Sequence, residues 1–319
     1  MALAEGPVIV PGLGGDIVLG YEPVPLIERY GDAFRLIPDA DQVTGFPPYA
    51  DPEFRQKARD MLKGTVAFRL GSEAGWSGYG LAFEPLLHEL VAASGRVVVG
   101  FGIPNQAGRA EPPEPEAVLR VEHPGPRGRG ATVLDLSRRP AGVDRKGELG
   151  ILEIEQRLGE PVRLGPGQVF AVLVVCTGNS CRSPMAEGIL NRMLENTRAF
   201  AQSAGTDAPV GAPATEGAVE AAREHGADIS AHRARQLSAA MVSNADLVLV
   251  MEDYHRRRVV ELVPEAASRT RLLAAYLPGA EPGSEIEDPV GRSPDFYRQT
   301  AARLATALEQ VAREVRQRL

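Results

Sequence analysis

Cysteine is nearly missing from this chain: of 319 residues only Cys176 and Cys181 carry a thiol. Two cysteines five positions apart close too short a loop to staple a fold. Neither has a neighbouring Cys or His at ligand spacing, so a four-ligand zinc site is not expected, and no metal or cofactor is called for. Long apolar runs are missing as well. No segment approaches the ~20 apolar residues of a membrane span, and the opening MALAEGPVIVPGLGGD has neither a basic leader nor an uninterrupted apolar stretch. A cytoplasmic protein is the expectation. There is no excess of basic charge: the formal net charge is −7, so the whole molecule does not draw in nucleic acid or anionic lipid. What remains is ordinary globular composition, with 44% hydrophobic and 24% charged residues. A chain of this length exceeds most single cores and predicts two domains.

The first half alternates apolar runs with Gly and Pro clusters. Residues 65–70, 96–101 and 132–137 read as strands, because β-branched residues dominate short runs bounded by breakers. The spacing of Leu86, Leu87, Leu90 and Val91 predicts a helix over 81–94, and a second helix is expected over 150–158. The Gly- and Pro-rich residues 161–168 are assigned as a linker, dividing an α/β domain at 1–160 from a second domain at 169–319.

In the second half, residues 169–175 (VFAVLVV) form a continuous apolar run, the pattern of a strand buried on both faces of a parallel sheet. Cys176 stands at its end. Ser183-Pro184 then predicts a helix start, with Ser as cap and Pro at the first helical position. Helices at 214–225 and 253–262, strands at 246–251 and 271–276, and a last helix opened by Ser293-Pro294 continue the alternation. Strand and helix units in alternation imply a doubly wound parallel sheet, with its active loops at the carboxyl ends of the strands.

The loop from Cys176 through Thr177, Gly178, Asn179, Ser180, Cys181 and Arg182 to Ser183 joins that buried strand to a helix N-terminus. Inward-pointing backbone N–H groups and the helix dipole suit a phosphoryl dianion there. Gly178 is read as permitting the backbone angles. Arg182 offers a planar fork for two phosphoryl oxygens. A thiol in that field is expected to ionise well below the usual ~8.5. A lone Cys at a strand end is ordinarily a small core residue. Here Arg at the sixth loop position, the Ser-Pro start and a downstream Asp-Pro argue together for chemistry.

VLVVCTGNSCRSPMAEGIL resembles the opening strand, loop and helix of low-molecular-weight protein tyrosine phosphatases, a motif of Cys, five residues, Arg, then Ser or Thr. Ser203-Ala204-Gly205-Thr206, His232 through Leu237, the Asp246 strand with Met251, and Glu287-Asp288-Pro289 resemble the family's later blocks, in order. The resemblance implies a Rossmann- or flavodoxin-like fold and a cysteine-dependent phosphatase acting on phosphorylated protein side chains. It implies Cys176 as nucleophile, Arg182 as phosphate clamp, Asn179 as organiser of the loop, Ser183 as the hydroxyl that stabilises the thiolate, and Asp288 as general acid. Cys181 would be a reversible disulfide partner of Cys176 that guards it from over-oxidation.

Two departures bear on substrate. Ser180 stands where eukaryotic members carry a bulky aliphatic residue, and Val290-Gly291 follows Asp288-Pro289 in place of paired tyrosines. Both remove apolar wall, which a phenyl ring wants and a guanidinium does not. Phosphotyrosine and phosphoarginine both stay open. An arsenate reductase would need resolving cysteines after Cys181, and there are none. A binding module that holds phosphorylated ligands without turnover is the rival class. His225, His232 and His255 read as structural or solvated, and Arg256-Arg257-Arg258 as an exposed helix face.

In the first half, 63–69 (KGTVAFR), 104–108 (PNQAG), 131–135 (ATVLD) and 145–148 (RKGE) resemble the later blocks of the YrdC-like threonylcarbamoyl-adenylate synthase family. Ile103 and Ala131 replace two of that family's serines, so the resemblance implies a degenerate binding domain. Any nucleic-acid contact would come through it.

Overall fold

A computed structural model describes residues 50–62, 132–147 and 149–319, together with the backbone of seven earlier strands. The chain divides into two compact units, Met1–Pro166 and Gly167–Leu319.

The first unit holds a ten-stranded mixed sheet built from β1 (Val8–Gly12), β2 (Gly15–Tyr21), β3 (Phe34–Ile37), β4 (Val66–Ser72), β5 (Gly75–Leu81), β6 (Val98–Pro104), β7 (Leu119–Arg120), β8 (Thr132–Asp135), β9 (Gly142–Arg145) and β10 (Arg163–Leu164). Their order is β10-β9-β8-β4-β5-β3-β6-β2-β1-β7. Helix α1 spans Pro52–Leu62 and α2 spans Ile151–Leu158, the latter ending at Gly159 in the left-handed conformation. The expected strands fall close to β4, β6 and β8. Leu81 closes β5, and the rest of the predicted 81–94 helix lies outside the described residues. The expected linker is not free of structure: Arg163 and Leu164 form β10, paired in parallel with Gly142 and Val143 of β9. Two backbone pairs suffice there because Leu164 is buried. Of the blocks resembling the synthase family, residues 63–65, 105–108, 131 and 148 lie outside the described residues.

The second unit is a four-stranded parallel sheet ordered β12-β11-β13-β14, formed by β11 (Phe170–Cys176), β12 (Ala199–Gly205), β13 (Leu247–Val250) and β14 (Thr270–Leu272). All seven residues of β11 are buried, as its unbroken apolar run demands. Leu173 and Val175 face one layer, packing with Val242, Val248, Val250 and Val259. Each fully buried Val or Leu contributes about 1.5–3 kcal/mol. Strand alternation turns Cys176 the opposite way from Val175. The chain leaves β11 to β12 on one side and to β13 on the other, so the residues after Cys176 sit at the switch point of the sheet, where the crevice opens.

The helices are α3 (Arg182–Met193), α4 (Glu216–Glu224), α5 (Ala239–Asn244), α6 (Asp253–Leu262) and α7 (Pro294–Gln317). Helix α7 begins as expected: Ser293 caps it, accepting from the Phe296 N–H, with Pro294 at the first position. Strand β12 and helix α5 have no counterpart in the sequence reading. The strand expected over 271–276 ends at Leu272 and turns into a 3₁₀ helix, Leu273–Tyr276. Helix α3 also differs. It starts two residues early, its N-cap is Cys181, and no side chain caps it. The Ser183 hydroxyl is engaged by the sulfur of Cys176 and the amide of Asn179, which leaves it unavailable as a cap. No helix among the described residues is long and apolar enough to cross a membrane.

Candidate active site

Cys176 ends β11 with its Sγ 2.9 Å from the Ser183 hydroxyl. The loop between them curls around Asn179, which takes φ 51°, a left-handed conformation that Asn tolerates better than most residues. Gly178 is not among the positive-φ positions, so the turn expected of the glycine is made by Asn179. Four contacts hold that residue. Its Nδ2 donates to Ser183 Oγ (2.9 Å) and Ser203 Oγ (2.8 Å), its Oδ1 accepts from Arg235 N (2.8 Å), and its carbonyl bonds the His232 ring at 2.8 Å. Glu187, which accepts from Ser203 and from Arg235, secures the outer end of this network.

A glycine outside the loop is equally necessary. Gly205 ends β12 where a Cβ would stand 2.3 Å from the Thr177 carbonyl oxygen and 2.9 Å from Asn179 N. Thr206 N and Asp207 N donate to the carbonyls of Cys176 and Thr177, each at 3.0 Å. The end of β12 thus lies flat against the loop, and only a residue without a side chain permits that approach.

Arg182, the first residue of α3, is 1% exposed. Its Nη1 pairs with Glu252 and with the Ile286 carbonyl (2.9 Å), and its Nη2 pairs with Asp288 Oδ2 at 2.5 Å. The Nε is buried without a partner. A buried donor without a partner, close to a buried thiol, is the kind of group that an entering oxyanion satisfies. Asp288 comes from the connection before α7, so residues 106 positions apart meet at one guanidinium.

The thiol differs from expectation. Burial pushes Cys176 above its ordinary value, against the opposing pull of the Ser183 hydroxyl and N–H, the Arg182 charge and the Asn179 N–H. Two carboxylates already balance the guanidinium, which blunts the field that was to favour thiolate. Cys181 is also buried, with its sulfur 3.2 Å from Thr215 Oγ1 and 3.6 Å from Tyr297 OH. Both cysteines are free thiols. Ser180 is half-exposed on the loop, and Val290 is 58% exposed beyond Asp288.

Two histidines read as structural or solvated touch the loop. His232 reaches the Asn179 carbonyl, and His255 reaches Thr177 Oγ1 at 2.9 Å. Nothing in their spacing marks them. The arginine run 256–258 is exposed and paired locally with Asp253 and Glu261, as read.

The second unit is similar to known proteins. A family model for low molecular weight phosphotyrosine protein phosphatase matches residues 171–319. The low molecular weight protein-tyrosine-phosphatase Etp of Escherichia coli (strain K12) is 35% identical over 145 residues, an alignment taking in 46% of this chain and 94% of Etp. The chain belongs to that family. Wzb of the same strain, another low molecular weight protein-tyrosine-phosphatase, is 38% identical over 148 residues, covering 46% of this chain and 94% of Wzb. Among solved structures, the YwlE arginine phosphatase from Geobacillus stearothermophilus is 34% identical, covering 46% of this chain and 94% of that one with a TM-score of 0.42. The protein is thus a cysteine-dependent phosphatase, an enzyme whose family region lies within its second unit.

Proposed function

We propose that the phosphatase hydrolyses phosphotyrosine in proteins in two steps through a phosphocysteine, with Cys176, Arg182 and Asp288 as its catalytic residues. The buried Arg182 with its unpartnered Nε, set one residue from the hydroxyl that holds the Cys176 sulfur, carries this reading. In the first step the sulfur attacks phosphorus while the bond to the leaving oxygen breaks, and Asp288 gives that oxygen its proton. In the second, Asp288 takes a proton from water, whose oxygen displaces the sulfur and releases phosphate. Arg182 and the N–H groups of Thr177, Gly178, Asn179, Ser180 and Cys181 meet the charge on the transferring oxygens. Each such donor is worth about 3 kcal/mol in the transition state.

The bound phosphoryl group competes with Asp288 and Glu252 for the guanidinium. Substrate entry therefore releases Asp288 from Arg182 and frees it to serve the leaving group. Hydrolysis of para-nitrophenyl phosphate, lost in Cys176→Ser, tests the assignment. A Cys176→Ser protein that binds phosphorylated ligand but shows the same turnover as wild type would refute it.

Phosphoarginine is a second reading, favoured by the Ser180 hydroxyl and by the small Val290 beyond the Asp288 carboxylate. Rates on phosphotyrosine and phosphoarginine peptides decide between the two. A Ser180→Ile change should raise the ratio toward tyrosine, and an unmoved ratio refutes the steric argument. Cys181 as redox partner requires its sulfur to leave Thr215 and Tyr297. Peroxide treatment followed by mass spectrometry should find a Cys176–Cys181 linkage, and its absence removes the role. For the first unit, the Arg69 strand and the 132–135 strand are consistent with a degenerate YrdC-like domain at 1–160. Threonylcarbamoyl-adenylate synthesis by the full-length protein would count against the degenerate reading.

A further inference from the structure

We propose that His255 is a positioning residue for the phosphate loop: its uncharged imidazole ties Thr177, the residue after the nucleophile, to the segment that carries the carboxylate partner of Arg182. The inference rests on the phosphatase reading above.

His255 is fully buried in the first turn of α6. Its Nδ1 lies 3.1 Å from Glu252 N, and its Nε2 lies 2.9 Å from Thr177 Oγ1. A backbone N–H can only donate, so Nδ1 must present a lone pair to it. The ring proton is then on Nε2 and is given to Thr177. One ring therefore fixes two things. It sets the backbone of Glu252, whose side chain grips Arg182 Nη1, and it sets the side chain of Thr177. A histidine that merely capped α6 would need only the first contact. The second crosses 78 residues of chain to reach the loop.

The charged and titratable groups facing the ring are Glu252, Arg182, Asp288 and Glu285, with the Tyr254 ring edge-on to it at 5.5 Å between centroids. Burial lowers its pKa from the ordinary 6.5, and Arg182 acts in the same direction, outweighing the three carboxylates. The folded protein thus prefers neutral His255. Its contribution is whole above pH ~6.5 and is lost as pH falls through the depressed folded value. A proton on Nδ1 would face the Glu252 N–H, donor against donor, and break that contact.

Full-length His255→Leu, His255→Gln, Thr177→Val and the double variant His255→Leu/Thr177→Val should be assayed on para-nitrophenyl phosphate, with product inhibition by inorganic phosphate as a binding readout. Leu and Val each should lower kcat about tenfold and weaken phosphate inhibition. The double variant should lose no more than His255→Leu alone, because the bond that Thr177→Val removes is already gone in it. Gln places an amide donor where Nε2 stood and should recover at least a third of the loss. The acid limb of the wild-type pH profile should flatten in His255→Gln, which has no imidazole to protonate. Additive losses in the double variant, or a Thr177→Val protein with wild-type kcat and phosphate inhibition, would overturn the proposal. Failure of the underlying reading shows separately, as turnover surviving Cys176→Ser.

Discussion

Replacing Asn179 by alanine removes the residue around which the phosphate loop is wound. The change deletes three side-chain hydrogen bonds, two donated to Ser183 and Ser203 and one accepted from Arg235 N. Ser183 and Ser203 keep other partners in Cys176 and Glu187, so each lost bond is worth its ordinary net ~0.5–1.5 kcal/mol. Alanine also meets the left-handed φ at a further cost of about 1 kcal/mol. The total is about 2.5–5.5 kcal/mol, a large part of the ~5–15 kcal/mol that holds a typical domain. Native-state hydrogen exchange at the β11 amides reads this loss in the second unit itself, independently of the first. Glycine at the same position relieves the backbone strain but not the lost bonds, so Asn179→Gly should recover about 1 kcal/mol relative to alanine. Turnover on para-nitrophenyl phosphate should fall at least a hundredfold in both. An alanine variant destabilised by less than ~1 kcal/mol, with wild-type kcat, would refute the argument that this side chain shapes the loop.

Other expectations are equally direct. Gly205→Ala forces a methyl group into the Thr177 carbonyl, so it should cost about 1–3 kcal/mol and most of the turnover; a stable, fully active variant would show that β12 and the loop separate freely. Glu252→Gln removes one of two carboxylates balancing Arg182, and the freed positive field favours thiolate. The pH midpoint of Cys176 alkylation by iodoacetamide should then move down, whereas Ser183→Ala, which deletes a hydrogen bond that favours the anion, should move it up. A midpoint that rises in Glu252→Gln or falls in Ser183→Ala would contradict the electrostatic account. Arg182→Lys should nearly abolish phosphate inhibition, because a point charge cannot replace a planar fork held at Nη1 and Nη2 by two carboxylates.

How much of this was legible beforehand varies with the range of the interaction. The buried run of β11, the Ser293-Pro294 cap and the loop motif are local patterns, and each stands close to where periodicity and capping chemistry put it. Ser183-Pro184 has the same local signature as Ser293-Pro294, yet only the latter serine caps its helix. The difference lies in Cys176 and Asn179, which reach Ser183 from the preceding strand and turn. The same holds for the left-handed residue: glycine is the usual choice, but three side-chain hydrogen bonds, with Ser183, Ser203 and the Arg235 N–H, make Asn179 the better anchor. The acidity of Cys176 was misjudged because the folded loop seals the thiol from water, and that burial, invisible in the motif, outweighs the Ser183 and Asn179 hydrogen bonds and the Arg182 charge. Gly205, His232 and His255 act on the loop from a strand end, a connection and a helix, and no spacing rule couples them to Cys176.

The close seating of Gly205 on Thr177 and Asn179 has a bearing on how the enzyme comes into being. Thr206, Arg235, Glu252 and Asp288 reach the loop from four places along the chain, each later than the thiol itself. A growing polypeptide that has just completed residue 183 already owns the sulfur and the arginine, but not the atoms that bend them into register. Phosphoryl-transfer competence therefore arrives only with the last of these segments, and an unfinished chain carries a cysteine with no cradle around it.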